Sequence, residues 1–141
     1  MIRDVQNTDI DPVLDVWLRA SIQAHDFISP DFWRSQLAAM REVYLPAAKT
    51  RVFEREGKVA GFCSVHGDTL AALFVSPEHQ GGGVGKQLLV DAMASRLVLD
   101  LAVYSANVPA IGFYERHGFV VLNEQLDEHT GHLEKVMRWI S

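Results

Sequence analysis

The chain is almost free of cysteine, and this scarcity excludes two kinds of site. Cys63 is the only cysteine among the 141 residues, so the chain can form neither an internal disulfide nor a thiolate metal cluster. Because Cys63 stands in an apolar predicted strand, we interpret it as a small buried side chain and not as a nucleophile. We expect a site without a metal.

Long apolar runs and a surplus of positive charge are also lacking. No stretch is apolar enough to cross a bilayer, and no charged segment leads into an apolar one as in a signal peptide. The formal net charge of −5 argues against a nucleic-acid partner and favours a cationic or amine-bearing substrate. We therefore expect a cytoplasmic protein with no membrane partner.

Linkers, internal repeats and low-complexity stretches are absent as well. With 141 residues, of which 48% are hydrophobic, the chain can bury one sizeable core. We therefore predict a single domain over residues 1–141. The sequence leaves a monomer and a homodimer equally open.

The spacing of apolar residues predicts an alternation of strands and helices. In order, the predicted elements are a strand over 1–5, helices over 8–22 and 31–45, strands over 51–56, 59–65 and 69–76, a helix over 84–97, a strand over 98–105, a helix over 109–117, and strands over 120–124 and 133–140. The three strands from 51 to 76 are expected to form an antiparallel meander. The last two strands are expected to form a hairpin, and Pro46 to end the second helix.

A glycine-rich loop joins the strand that ends near Val75 to the following helix. Residues 80–86 read Gln-Gly-Gly-Gly-Val-Gly-Lys. The first amides of a helix lack partners within the helix and lie at the positive end of its dipole, so a loop without side chains offers them to a phosphate. The pattern predicts a phosphate-binding site.

Two common nucleotide motifs do not fit this loop. A P-loop requires glycine at the position of Gln80 and a hydroxyl residue at the position of Gln87. A dinucleotide-binding fingerprint requires a third glycine where Lys86 stands. ATP or GTP hydrolysis is therefore not expected.

Two motifs together resemble those of a known family. Residues 80–85 are similar to the Gln/Arg-x-x-Gly-x-Gly/Ala signature of the GCN5-related N-acetyltransferases (GNAT), which bind the pyrophosphate of acetyl coenzyme A. Residues 107–114 resemble the family's Asn-x-x-Ala-x-x-Phe-Tyr signature, and Gly118 and Phe119 supply the Gly-Phe that follows it. The chain is identified as a member of this superfamily, of the small single-domain bacterial type.

The resemblance implies an α/β (α+β) fold. The family has a mixed, mostly antiparallel sheet of about seven strands flanked by about four helices, and the sheet splays at its central strands. The implied activity is acetyl-coenzyme A-dependent transfer of an acetyl group, by direct attack, to a primary amine of a protein lysine, an N-terminus or a small molecule. A non-catalytic acyl-coenzyme A sensor and a toxin-type acetyltransferase that acts on aminoacyl-tRNA stay open as alternatives.

The resemblance also implies where acetyl coenzyme A binds. Where neighbouring strands part, their backbone groups lose partners, and the pantetheine arm can replace them. Gln80 is expected to order the loop or to face the phosphate, and Asn107 to bridge the arm and the loop. The residues expected to bind the cofactor are Leu73, Phe74, Val75, Gln80, Gly81, Gly82, Gly83, Val84, Gly85, Lys86, Asn107 and Tyr114.

Tyr114 is the expected general acid. Its position in the second motif matches a tyrosine that in many family members gives its proton to the coenzyme A sulfur, and a phenol is acidic enough for this role when oriented. The alternative reading of Tyr114 is a core aromatic beside Phe113.

The general base is less well defined, because the family's central-strand glutamate has no counterpart in residues 69–73. We predict His25 as the base, since the pKa of imidazole suits proton uptake at neutral pH. His66, Asp68 and a water relay stay open. In this fold the loop that carries His25 covers the acceptor site, so His25, Phe27 and Trp33 are expected to bind the substrate.

Overall fold

The computed structural model describes the whole chain, from Met1 to Ser141. The main elements are β1 (Ile2–Asp4), α1 (Ile10–Ala24), α2 (Pro30–Ser35), β2 (Lys49–Arg55), β3 (Lys58–His66), β4 (Thr69–Val75), α3 (Val84–Met93), β5 (Val98–Tyr104), α4 (Val108–Arg116), β6 (Val120–Asp127) and β7 (His132–Ile140). Short helical turns at Leu37–Ala39, Met40–Tyr44 and Leu45–Ala47 connect α2 to β2. None of the helices has the length and apolar character needed to cross a membrane.

The seven strands form one sheet in the order β1-β2-β3-β4-β5-β7-β6. Every neighbouring pair is antiparallel except β4 and β5, which run parallel and pair only at Thr69 and Asp100. The Asp100 amide also donates to the Asp68 carbonyl at 2.8 Å. Beyond this point the two strands separate, so the predicted mostly antiparallel sheet with splayed central strands is confirmed.

Two apolar cores lie on opposite faces of the sheet. Neighbouring residues of a strand point to opposite faces, and on β3 Cys63 belongs to the core beneath α3 and α4 while Phe62 belongs to the core beneath α1 and α2. The helical spacing of apolar residues in α1 buries Val13 and Trp17 in the second core. Helices thus pack against both faces of the sheet, on either side of the gap between β4 and β5.

The segment between α2 and β2 differs from the continuous helix predicted over 31–45. Helix α2 ends at Ser35, and the chain continues through a wide π-helical turn at Met40–Tyr44. Pro46 lies inside the last turn, Leu45–Ala47, and does not end the helix. A proline is tolerated there because the first amides of a helical turn need no partner within it.

Two further boundaries were also predicted wrongly. Helix α3 ends at Met93 and not near residue 97, because Ser95 adopts a left-handed conformation with φ of +65°. Strand β6 continues to Asp127 and not only to residue 124, since its pairing with β7 extends to the Asp127–His132 pair.

Gly61 on β3 permits close contact between α3 and the sheet. A Cβ at this position would come within 2.8 Å of the Phe74 carbonyl oxygen and 3.2 Å of side-chain atoms of Val84 and Leu88. Because the first of these is backbone, it cannot move aside cheaply. Gly61→Ala should lower the free energy of unfolding by about 1–3 kcal/mol, measured by urea denaturation.

Gly112→Ala in α4 is the matched control. Its Cβ would meet only the end of the flexible Arg116 side chain, at 3.3 Å. Alanine is the better helix former there, so this variant should gain about 0.5–1 kcal/mol. Equal stabilities of the two variants would contradict the packing argument.

Candidate active site

The glycine loop is shaped so that α3 begins with exposed amides. Gly81 and Gly83 have φ of +83° and +85°, a region that residues with a Cβ rarely adopt. Gly83 precedes the first helical residue, Val84. With no side chains in the way, the amides of the first turn can bind an anion.

Gln80 ties this loop to two other elements. Its Nε2 donates to Gln23 Oε1 on α1 at 2.8 Å and to the Val75 carbonyl oxygen on β4 at 3.1 Å. Gln80 was expected either to order the loop or to face the phosphate. Its two hydrogen bonds suit the first of these roles.

The end of β4 presents main-chain groups to the opening in the sheet. The Ser76 amide donates to the Ala60 carbonyl on β3 at 2.8 Å. Since alternate residues of an antiparallel strand direct their amides and carbonyls to opposite sides, those of Leu73 and Val75 point away from β3. The neighbouring strand β5 has already separated there, so a bound molecule can pair with these groups.

Two cavities meet in the opening between β4 and β5. The first, here called the loop-side cleft, has a volume of about 470 Å³ and reaches Gln80, Gly81 and Gly85. The second, here called the aromatic cavity, has a volume of about 250 Å³ and includes Trp17 and Trp33 in its walls. The residues that line both are Leu73, Phe74, Asn107, Ala110 and Tyr114.

Tyr114 lies at this junction, on α4. Its ring packs edge-on against Phe113 and Phe119, with centroids 5.3 Å and 5.5 Å away. Burial raises its pKa well above the ordinary value for tyrosine, so the phenol carries its proton at neutral pH. The side chain is thus both part of the core packing and a wall of both cavities.

His25 follows the last residue of α1 and lines the aromatic cavity. Its ring stacks on Trp33 at 5.0 Å and meets the edges of Tyr104 at 5.2 Å and Phe27 at 5.7 Å. Burial among these rings lowers the pKa of His25 below its ordinary value. The imidazole is therefore neutral at neutral pH.

Asn107 fixes which nitrogen of His25 can accept a proton. Its Oδ1 accepts from the Ala110 amide at 3.3 Å, as the N-cap of α4. This leaves its Nδ2, a donor, 3.5 Å from Nε2 of His25. Because two donors cannot face each other, Nε2 carries the lone pair, and the ring proton lies on the buried Nδ1, which has no hydrogen-bond partner.

The remaining predicted residues fall outside the cavity walls. Phe27 contacts the rings of His25, Tyr104 and His132 but lines neither cavity. His66 and Asp68 lie exposed at the turn between β3 and β4, away from both cavities. The structure therefore does not support either of them as a direct base.

Cys63 lines neither cavity. Its thiol is buried, with Sγ 3.9 Å from the Leu88 carbonyl oxygen, and burial raises its pKa to about 11. A protonated, enclosed thiol cannot act as a nucleophile.

Among the wall residues of the aromatic cavity that sequence reasoning missed, Tyr104 and Glu134 are the two with a titratable side chain. They face each other across the β5–β7 pair, and the Tyr104 hydroxyl donates to Asp127. Glu134 gave no clear signal, because Lys135 and Arg138 stand in the same strand. Its place in the cavity wall depends on how β5 pairs with β7, two strands that are distant in the sequence.

Comparison with known proteins agrees with this arrangement. Residues 46–121 match a family described as an acetyltransferase (GNAT) domain. The chain is 35% identical over 140 residues to the peptidyl-lysine N-acetyltransferase YiaC of Escherichia coli K12, covering 99% of this chain and 96% of that protein. It is 33% identical over 122 residues to the peptidyl-lysine N-acetyltransferase YjaB of the same organism, covering 85% and 82%.

Solved structures show the same fold. The solution structure of apo YjaB from Escherichia coli superposes with a TM-score of 0.86 at 26% identity, over 100% of this chain and 97% of that one. PaiA N-acetyltransferase from Thermoplasma acidophilum, in complex with coenzyme A, gives a TM-score of 0.82 at 20% identity, over 100% and 98%. The chain belongs to the GNAT acetyltransferase family and is an acetyl-coenzyme A-dependent N-acetyltransferase.

Proposed function

We propose that this N-acetyltransferase acts on the ε-amino group of lysine side chains in proteins or peptides. The observation that carries the proposal is the meeting of two cavities at Tyr114, one open to the glycine loop and one enclosed by aromatic rings. An aromatic cavity suits the apolar stem and amino group of lysine. Two relatives named peptidyl-lysine N-acetyltransferases, 35% and 33% identical, support the same acceptor.

The loop-side cleft fits acetyl coenzyme A. Amides of the loop from Gly81 to Lys86 would hold the pyrophosphate. The main-chain groups of Leu73 and the Val75 amide, which have no strand partner, would pair with the amide-rich arm. Asn107, which lines both cavities, lies where the arm would pass. When bound, acetyl coenzyme A supplies the acetyl group as an activated thioester.

His25 and Tyr114 divide the proton transfers between them. Nε2 of His25 takes the proton that the acceptor nitrogen loses as its bond to the acetyl carbon forms. Tyr114 gives its proton to the sulfur as the carbon–sulfur bond breaks. The raised pKa of Tyr114 does not oppose this step, because the same apolar surroundings raise the pKa of a thiol.

The transfer is direct, with acceptor and acetyl coenzyme A bound together. An acyl-enzyme route through a thiol requires a cysteine between the two cavities, and Cys63 lines neither of them. No other cysteine exists in the chain.

The proposed acceptor is tested with a peptide that contains one internal lysine and has a blocked N-terminus. Incubated with the enzyme and acetyl coenzyme A, it should show saturable release of free thiol and a mass increase on the lysine alone. A matched peptide with a free N-terminus and no lysine should remain unmodified. Turnover of the second peptide only, or of small-molecule amines only, would contradict the proposal.

Removal of the Tyr114 hydroxyl tests the general acid. Tyr114→Phe keeps the ring and its packing, so the affinity for acetyl coenzyme A should persist while kcat falls roughly tenfold to a thousandfold. Tyr44→Phe, at an exposed tyrosine outside both cavities, is the control and should match the wild type. Wild-type kcat in Tyr114→Phe, with chemistry rate-limiting, would assign Tyr114 a purely structural role.

The dependence of kcat/KM on pH tests His25 as the base. The base must be unprotonated, and the lowered pKa of His25 should move the acidic fall in activity below the ordinary pKa of histidine. His25→Gln should lose this acidic limb and show a lower kcat. His129→Gln, at an exposed histidine of the β6–β7 turn, should keep the wild-type profile. An unchanged acidic limb in folded His25→Gln would rule out His25 as the base.

A further inference from the structure

Glu134 stands out among the residues of the aromatic cavity. It lies half-buried on β7, opposite Tyr104 of β5, and lines the aromatic cavity but not the loop-side cleft. With His25 neutral, Glu134 is the only lining residue that carries a formal charge at neutral pH. The cavity therefore contains one anion and no cation.

One carboxylate oxygen of Glu134 has no hydrogen-bond partner. Gln125 Nε2 donates to its Oε1 at 2.8 Å, while its other oxygen has no hydrogen bond and no lysine or arginine forms a salt bridge with it. Nearby carboxylates are already engaged, since Glu124 accepts from Ser105 and Lys135 and Asp127 accepts from Tyr104. Glu134 is thus the one carboxylate that lines the aromatic cavity, and it has neither a counter-charge nor a partner for its second oxygen.

A primary amine needs such a partner when it enters the cavity. With a pKa of about 10.4, a lysine side chain arrives at neutral pH as an ammonium ion. Placing that ion in an apolar cavity without a counter-charge is strongly unfavourable. The aromatic side chains of Trp17, Trp33 and Tyr104 can cover the methylene stem and attract the charge, but they cannot neutralise it.

We propose that Glu134 binds the ammonium group of the incoming acceptor and so selects cationic primary amines. This inference rests on the proposed lysine acceptor and adds a specificity-determining residue to it. The ammonium pairs with the free oxygen of Glu134 on entry and then gives one proton to solvent. The neutral amine moves on towards Tyr114, where its second proton passes to Nε2 of His25 as its bond to the acetyl carbon forms. Glu134 acts in binding alone, and the proton transfers stay with His25 and Tyr114.

The proposal is tested by comparing two acceptors that differ in charge. One is the lysine peptide; the other carries an alkoxyamine of similar length, which is neutral at neutral pH. Glu134→Gln retains the shape and the contact with Gln125, and it should raise KM for the lysine peptide roughly tenfold with little change in kcat. For the alkoxyamine peptide, KM should match the wild type.

Glu124→Gln is the matched control variant. It removes the same charge from the neighbouring strand β6, at a carboxylate already paired with Lys135 and outside the cavity. Its KM for both peptides should equal that of the wild type. If KM rose equally in both variants, the effect would come from the overall charge of the protein, and the proposal would be wrong. A decrease in kcat alone in Glu134→Gln would also contradict the proposal.

A binding measurement separates this inference from the choice of acceptor. Titration with n-butylammonium, followed by fluorescence of the cavity residues Trp17 and Trp33, reports binding without turnover. Glu134→Gln should weaken binding roughly tenfold, and Glu124→Gln should not. If the wild type does not acetylate the lysine peptide, the proposal of a lysine acceptor is wrong. The titration still tests whether Glu134 binds an ammonium group. Equal affinities of wild type and Glu134→Gln would overturn that role.

Discussion

The whole site depends on the interruption of one strand pair. Strands β4 and β5 are joined at Thr69 and Asp100 and then diverge, because β5 continues its pairing with β7 while β4 follows β3. The divergence leaves main-chain groups of Leu73 and Val75 without strand partners, which a continuous sheet would have satisfied. The missing hydrogen bonds between β4 and β5 thus leave room for a ligand in the middle of the sheet.

The electrostatic character of the site follows from the same opening. Burial keeps Tyr114 protonated and His25 unprotonated at neutral pH, so the proposed proton donor and the proposed proton acceptor are both uncharged. This suits an apolar cavity, since two neutral groups avoid the cost of burying isolated ions. Glu134, half-buried on β7, is the exception.

The sequence was sufficient to predict elements that a local pattern defines. It was not sufficient to predict contacts that depend on how distant strands pair. The period of the apolar residues in α1 and the run of glycines before α3 each define an element by themselves. Glu134 could not be assigned in this way, because its place beside Tyr104 results from the pairing of β5 with β7, thirty residues apart in the chain. The left-handed Ser95 that ends α3 early likewise gave no sequence signal.

The contact between Gln80 and Gln23 has a further consequence. Gln80 belongs to the glycine loop, and Gln23 lies two residues before His25 at the end of α1. A displacement of the loop is therefore transmitted through one side-chain pair to the segment that carries the imidazole. The phosphate-binding loop and the imidazole are therefore held relative to each other by a contact between two uncharged amides.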